Sequence, residues 1–339
     1  MKVNKLTKKE RIFVAGSNGM VGNAICRALI KNGYDNKSKE SILLKPTRSE
    51  LNLLDNTQVN YWFKENKPTI VIIAAAKVGG ILANSKYPAD FLLENLKMQT
   101  NIIEAAWMNK VKRLLFLGSS CIYPKLSKQP IPEEELLKSS LESTNESYAI
   151  AKIAGIKLCH SLRTQYGFDA ISLMPTNLYG PGDNYHIENS HVLPALIRKF
   201  HTAKENKEKV VTCWGTGKPL REFLYVDDLA DACLFALNNW EPSYCENNLN
   251  YQSNHQSWLN VGSKDEISIK ELANKISSKI GYQGEIRWDH TKPDGTKRKK
   301  LDTSKINNLG WYPKTDFDTG ITNTIKFFKK ELNLNLLRS

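Results

Sequence analysis

Tyr148 and Lys152 stand one helical turn apart, so a helix there carries a phenol and an ammonium on a single face. A nearby ammonium favours the phenolate and draws a group of ordinary pKa ~10 toward a range useful for proton transfer. Of the thirteen tyrosines, Tyr148 alone has a lysine four residues on. Ser119 and Ser120 follow the apolar run Arg113–Leu117, and Cys121 follows them directly. Carbonyl reduction requires a hydroxyl that polarises the ketone, a phenol that donates the proton and an ammonium that reaches the nicotinamide ribose. Ser119, Tyr148 and Lys152 are of those types. Read bare, Cys121 is as well explained as a small buried hydrophobe, and His191 as a satisfied core residue.

A dinucleotide loop supplies the second constellation. Arg11–Gly22 runs from an apolar strand through Gly16, Gly19 and Gly22 into a helix. Gly16 permits the sharp turn, Gly19 lets backbone approach a pyrophosphate, and Gly22 allows close helix–strand packing. The pyrophosphate then lies on the N-terminus of the helix that starts near Met20. An acid for a free ribose 2′-hydroxyl is expected about 20 residues on. The chain offers Leu43 to Arg48 there, with no carboxylate before Glu50. Arg48 is suited to a 2′-phosphate, which points to NADP; a solvated loop arginine is the alternative.

Parallel strands deliver such groups at their carboxyl ends, so the elements come next. Arg11–Ala15, Ser41–Leu44, Thr69–Ala74, Arg113–Leu117 and Asp169–Met174 are near-continuous apolar runs, as strands covered on both faces must be. Met20–Asn32, Asn56–Asn66, Pro88–Asn109 and Tyr148–Tyr166 carry helical patterns between them. Alternation of this kind predicts an α/β fold, a doubly wound parallel sheet with a smaller C-terminal α/β lobe. Tyr179–Asn184 and Trp214–Leu220 are turn-rich, and Asp227–Asn238 returns to a helical pattern. The expected division is 1–182 as the dinucleotide domain, with 222–262 returning to it, and 183–221 with 263–339 as a substrate lobe. Leu332–Ser339 is expected to fray.

At 339 residues and 41% hydrophobic content the chain is long enough for a large core, and its composition excludes disordered and fibrous classes. Six cysteines without a CxxC pair signal neither a zinc site nor a disulfide framework. Apart from Cys121 and His191, the cysteines (Cys26, Cys159, Cys213, Cys233, Cys245) and histidines (His160, His186, His201, His255, His290) take structural readings, although His186 lies in a site-like loop. The longest apolar run, Ile70–Ala76, is too short to span a bilayer, and the expectation is a soluble cytoplasmic protein. A net charge of +13 fits nucleic acid or an anionic membrane surface, an anionic substrate with a phosphate-rich cofactor, or a lysine-rich surface. Small basic clusters at Lys8–Arg11 and Lys297–Lys300 come without a nucleic-acid motif, so no nucleic-acid partner is expected.

Longer strings narrow the reading: Ala74–Gly80 (AAAKVGG), Leu115–Pro124 (LFLGSSCIYP), Tyr148–Gly155 (YAIAKIAG), Met174–Pro181 (MPTNLYGP), Asn189–Val192, Arg221–Phe223 and Lys292–Gly295. On these the chain resembles the extended short-chain dehydrogenases, and within them the epimerase/reductases of GDP-4-keto-6-deoxy sugars. The resemblance runs from Arg11 to about Gly320. It implies NADP(H), a GDP-sugar substrate, a homodimer, and epimerisation at C3 and C5 followed by reduction at C4. A C4 ketone acidifies the neighbouring C–H bonds, and inversion needs a base on one face and an acid on the other. The resemblance gives those roles to Cys121 and His191. It draws the cofactor site from Gly16, Ser17, Asn18, Gly19, Met20, Val21, Gly22, Arg48, Asn52, Leu53, Leu117, Gly118, Ser119, Ser120, Lys152, Pro175, Asn177, Leu178 and His191. Lys199, Trp214, Arg221 and Asp294 become substrate contacts. Asn18 departs from the pattern, standing where the family carries an NADP-binding arginine, which leaves more of that grip to Arg48.

Two rivals stay open. A nucleotide-sugar 4,6-dehydratase or 4-epimerase of the same fold would carry a Thr/Ser-Asp-Glu set where Ser119-Ser120-Cys121 stands. A cofactor-sensing RNA-binding protein would have no need of a proton donor at Tyr148.

Overall fold

The computed structural model describes residues 6–35, 41–187, 189–242, 256–292 and 294–337; Cys245 and His255 lie outside them. The first half alternates β1 (Arg11–Ala15), α1 (Met20–Lys31), β2 (Ile42–Leu44), α2 (Asn56–Asn66), β3 (Ile70–Ile73), α3 (Ile81–Lys86), α4 (Pro88–Met108) and β4 (Arg113–Leu117). It continues through α5 (Glu146–Tyr166), β5 (Ala170–Pro175), β6 (Asn177–Tyr179), α6 (Val192–Glu205), β7 (Val210–Trp214), β8 (Leu220–Tyr225) and α7 (Val226–Asn239). The remainder is β9 (Trp258–Val261), β10 (Glu266–Ser268), α8 (Ile269–Ile280), β11 (Glu285–Asp289), β12 (Arg298–Lys299), α9 (Ser304–Asn308) and α10 (Phe317–Asn333).

Six parallel strands form one sheet in the order β2-β1-β3-β4-β5-β9. Strand alternation splits its side chains into two cores. Ile12, Val14, Ile70, Ile72, Leu115 and Leu117 pack with α1 and α7 on one side. Phe13, Ala15, Val71, Ile73, Leu114 and Phe116 pack with α2, α4 and α5 on the other. With both faces covered, the strands are apolar throughout, which is why composition alone marks them. The strand order reverses between β1 and β3, and the crevice at such a point is where α/β sheets take ligands.

A second lobe has its own core, in which α6, α8 and α10 cover β7 and β8. Its strands form β10-β8-β12, with β6 also on β8, and a separate parallel pair β11-β7. The 222–262 segment serves both lobes: β8 lies in the smaller sheet, α7 on the large one, and β9 at the large sheet's edge. Buried Glu222 fastens this seam, accepting from Ser263 N at 2.7 Å and Leu301 N at 3.0 Å. Helix α10 continues to Asn333, Leu336 N donates to Glu331 O at 2.9 Å and Leu337 packs against the second lobe's core, so residues 332–337 do not fray as expected.

Candidate active site

The glycine loop follows β1. Gly16 turns at φ +82°, a left-handed conformation that glycine adopts freely, and a Cβ there would sit 2.7 Å from Ala75 backbone. A Cβ on Gly22 would run into the Gly16 carbonyl oxygen. Gly19 N donates to Gly16 O at 3.0 Å and caps α1, whose first turn holds neither an acid nor a capping side chain. The first N–H groups of α1 therefore remain available to an anion. Ser17 is 4% exposed, and its Oγ is buried without a partner. An orphaned buried hydroxyl beside an uncapped helix start fits a dinucleotide pyrophosphate. Met20 and Val21 are half-buried against the α1 core, while Asn18 is exposed.

Arg48 lies exposed in the loop after β2. The neighbouring carboxylate is already engaged: Glu50 Oε2 accepts from Thr47 N at 2.7 Å and Thr47 Oγ1 at 2.9 Å. Those bonds hold the Glu50 carboxyl below the usual range. Next in line, Asn52 N bonds Gln58, and Asn101 Nδ2 donates to Leu53 O at 2.9 Å.

At the end of β4, Gly118 N donates to Leu173 O at 2.9 Å, and Ser119 caps a short turn by accepting from Cys121 N at 3.2 Å. From α5, Lys152 reaches under this segment; it is 3% exposed and donates to Leu117 O at 2.8 Å. Burial pushes its ammonium down to about 7. Tyr148 lies on the same face, its ring 5.9 Å from Lys152 Nζ. Here the structure raises the phenol, where the spacing suggested that the ammonium would lower it. Burial and the charge of Cys121 raise the Tyr148 hydroxyl, against the opposing hydrogen bond with Ser119. Lys152 does little to offset them, since its Nζ lies 5.9 Å from the ring and burial lowers its own ammonium to about 7. Tyr148 is accordingly a neutral phenol at ordinary pH, and the Ser120 behind it is buried. A cavity of about 340 Å³ lined by Asn84, Ser85, Ser143, Thr144 and Ser147 opens at the start of α5.

Cys121 is half-buried, whereas Cys26, Cys159, Cys213 and Cys233 are buried. Its Sγ accepts from Lys299 Nζ at 3.3 Å. Burial pushes the thiol up, but the Lys299 charge, hydrogen bonds from Ser119 and Lys299, and the Arg221 charge hold it below its ordinary value overall. His191 precedes α6 and is exposed, with no side-chain bond to that helix's N-terminus. Local desolvation and the same Lys299 ammonium lower its imidazole. Ser119, Cys121, Tyr148, His191, Arg221 and Lys299 thus share one electrostatic neighbourhood. Lys299 is the member that sequence reasoning missed: it was counted within the Lys297–Lys300 charge cluster.

The other expected substrate residues gather on the second lobe. Lys199 Nζ donates to Thr212 O at 2.8 Å, and Lys292 Nζ sits 5.5 Å from the ring of Trp214, which is 61% exposed. Asp294 accepts from Thr216 N at 2.9 Å and Thr216 Oγ1 at 2.7 Å. Arg221, anchored on Thr296 O at 2.6 Å, joins the two groups, since both Cys121 and Asp294 act on its charge. Asn177 donates to Glu222 O at 2.9 Å, which ties β6 to β8; Leu178 follows it in β6, and Pro175 ends β5.

Residues 12–250 match the NAD dependent epimerase/dehydratase family. GDP-L-fucose synthase 1 of Arabidopsis thaliana is 53% identical over 325 residues, covering 96% of this chain and 95% of that protein. The GDP-L-fucose synthase of Escherichia coli is 50% identical over 320 residues, covering 94% and 97%. The chain belongs to the GDP-L-fucose synthase family. Among solved structures, a GDP-L-fucose synthetase from Naegleria fowleri bound to NADP superposes with a TM-score of 0.83 at 28% identity, covering 98% of both chains. The family's fold is the doubly wound α/β sheet described above. Within the described residues no group of three or more His, Cys, Asp or Glu is placed to hold a metal, and no helix is long and apolar enough to cross a membrane.

Proposed function

We propose that this chain is an NADPH-dependent epimerase/reductase that converts GDP-4-keto-6-deoxy-D-mannose to GDP-L-fucose. The observation that carries it is Cys121, half-buried and bonded to a lysine, in the neighbourhood of a reductase-type Ser119–Tyr148 pair. A plain reductase has no use for a thiol there. When bound, NADPH supplies the hydride that C4 receives. Gly16, Ser17, Gly19 and the start of α1 hold its pyrophosphate, and Lys152 its nicotinamide ribose.

The chain's own groups divide the remaining work. Ser119 and Tyr148 donate to the C4 oxygen and hold the enolate formed when a neighbouring carbon loses its proton. Cys121, as thiolate, takes that proton and becomes a thiol. His191, as imidazolium, delivers a proton to the opposite face and becomes neutral; its lowered pKa makes the charged form the stronger acid. Exchange with water restores both. Tyr148, held neutral, then gives its proton to the C4 oxygen as reduction completes. Lys199, Trp214, Arg221 and Asp294 hold the GDP portion, with cations for the diphosphate and an aromatic face for the base.

We assign cofactor holding to 1–182 with α7 and β9 of the 222–262 segment, whose β8 belongs to the smaller sheet, and substrate holding to 183–221 with 263–339. Leu82, Leu93 and Ile150, apolar residues exposed on α3, α4 and α5, support a homodimer. The reading places the enzyme in the cytoplasm, where NADPH and free thiols are maintained.

Adding GDP-4-keto-6-deoxymannose is expected to start NADPH oxidation, whereas the unoxidised GDP-mannose leaves NADPH untouched. Oxidation with neither sugar would refute the substrate assignment. Arg48→Ala should weaken NADPH by on the order of 1.5–3 kcal/mol, the worth of a charged hydrogen bond, and leave NADH nearly unchanged. Titration of both nucleotides checks it; equal losses would return Arg48 to a loop role.

A further inference from the structure

Strand alternation separates the basic residues of the Lys297–Lys300 run. Arg298 turns to Glu266, with Nε–Oε2 at 2.8 Å, and Lys300 donates to Lys264 O at 2.8 Å. Lys299, between them, is half-buried and donates to Cys121 Sγ at 3.3 Å. Its position is built rather than incidental, because β12 pairs in parallel with β8 and sets Lys299 directly beside Arg221. The segment before it is held by β8 as well: Leu220 N donates to Lys297 O at 2.9 Å, and Arg221 Nη1 donates to Thr296 O at 2.6 Å. Two cations from the substrate lobe are thereby carried to a sulfur at the end of β4, on the opposite lobe.

We propose that Lys299 is a positioning residue for the epimerisation, its ammonium keeping the Cys121 sulfur in place as a thiolate ready to take a proton. The inference rests on Cys121 being the base, as read above. Three groups act on the sulfur, and two more stand near it. The Ser119 hydroxyl favours the charged sulfur from its own segment, Lys299 and Arg221 bring positive charge from β12 and β8, and Tyr148 on α5 is kept neutral beside it. His191, ahead of α6, feels the same ammonium. Lys299 therefore favours the base while disfavouring a second cation on His191, which primes His191 to release its proton. In the transfer itself one C–H bond breaks and one S–H bond forms. Lys299 keeps its three protons throughout.

The test uses the whole protein without substrate and follows iodoacetamide alkylation of the Cys121 peptide by mass spectrometry across a pH series. Lys299→Met should move the midpoint upward by about one unit, slowing alkylation about tenfold below it, because one unit is a factor of ten in thiolate population. Lys299→Arg should retain most of the native profile. Cys26, Cys159, Cys213 and Cys233 report on folding in the same digest, since they stay protected while the protein is folded. Deuterium uptake at C3 and C5 in Lys299→Met should fall by a similar factor and recover as pH is raised, which a merely structural loss would not do. Superimposable alkylation profiles for native and Lys299→Met would overturn the proposal. If the profile shifts but Cys121→Ser still exchanges deuterium at the native rate, the base assignment falls, and with it any part for Lys299 in epimerisation.

Discussion

Tyr148→Phe is expected to lower C4 reduction by ~10²–10⁴, the range for loss of a general acid. The ring stays and the donor goes. Tyr148 is raised by burial and by the Cys121 charge, so the native phenol keeps its proton across the neutral range and is available to the developing alkoxide. The variant retains the ring's place on α5 beside Lys152, which donates one N–H to Leu117 O at 2.8 Å. NADPH affinity should therefore change little, and the loss should appear in kcat. Deuterium uptake at C3 and C5 should persist, because Ser119 still donates to the enolate oxygen. Single-turnover NADPH oxidation measures the first effect and NMR of the recovered sugar the second. A near-native rate of oxidation would remove Tyr148 from the proton-donor role.

Cys121→Ser is expected to abolish epimerisation while sparing the reductase set. A thiol of ordinary pKa ~8.5 is replaced by a hydroxyl too weakly acidic to supply a base, whatever cation faces it. The variant should stop exchanging solvent deuterium into C3 and C5. It should still reduce the unepimerised ketone, giving a 6-deoxy sugar with the original configuration at both carbons. His191→Asn has a milder expected phenotype: proton removal continues, return from the opposite face slows, and exchange outruns inversion. Undiminished deuterium incorporation in Cys121→Ser would make the cysteine a packing residue.

These expectations rest partly on what the chain displays in its sequence and partly on what only folding reveals. Strands β1 and β4 and helix α2 were legible to the residue, because a strand buried on both faces is apolar without interruption and Asp55 caps α2 where the pattern starts. Strands β6, β10 and β12 were not, being two or three residues long and defined by their pairing with β8 rather than by any period of their own. The Tyr148–Lys152 spacing was visible, but spacing cannot say where an ammonium points. Burial and the Cys121 charge, both products of folding, raise the Tyr148 phenol where the spacing alone suggested that the ammonium would lower it. Lys299 was hidden for a related reason. A run of basic residues reads as one surface feature until a strand register turns alternate side chains to opposite sides. The partnerless Ser17 hydroxyl is likewise invisible in composition, although the glycine spacing around it is plain.

One measurement bears on the whole account. The protein is incubated in D₂O with GDP-4-keto-6-deoxy-D-mannose and protiated NADPH, and the product is examined by NMR. The predicted product is GDP-L-fucose with deuterium at C3 and C5, inverted at both, and protium at C4. Deuterium at the two flanking carbons reports the Cys121–His191 exchange, and protium at C4 reports direct hydride transfer. A reduced sugar that keeps protium and the original configuration at C3 and C5 would contradict the account, leaving a simple ketone reductase in its place.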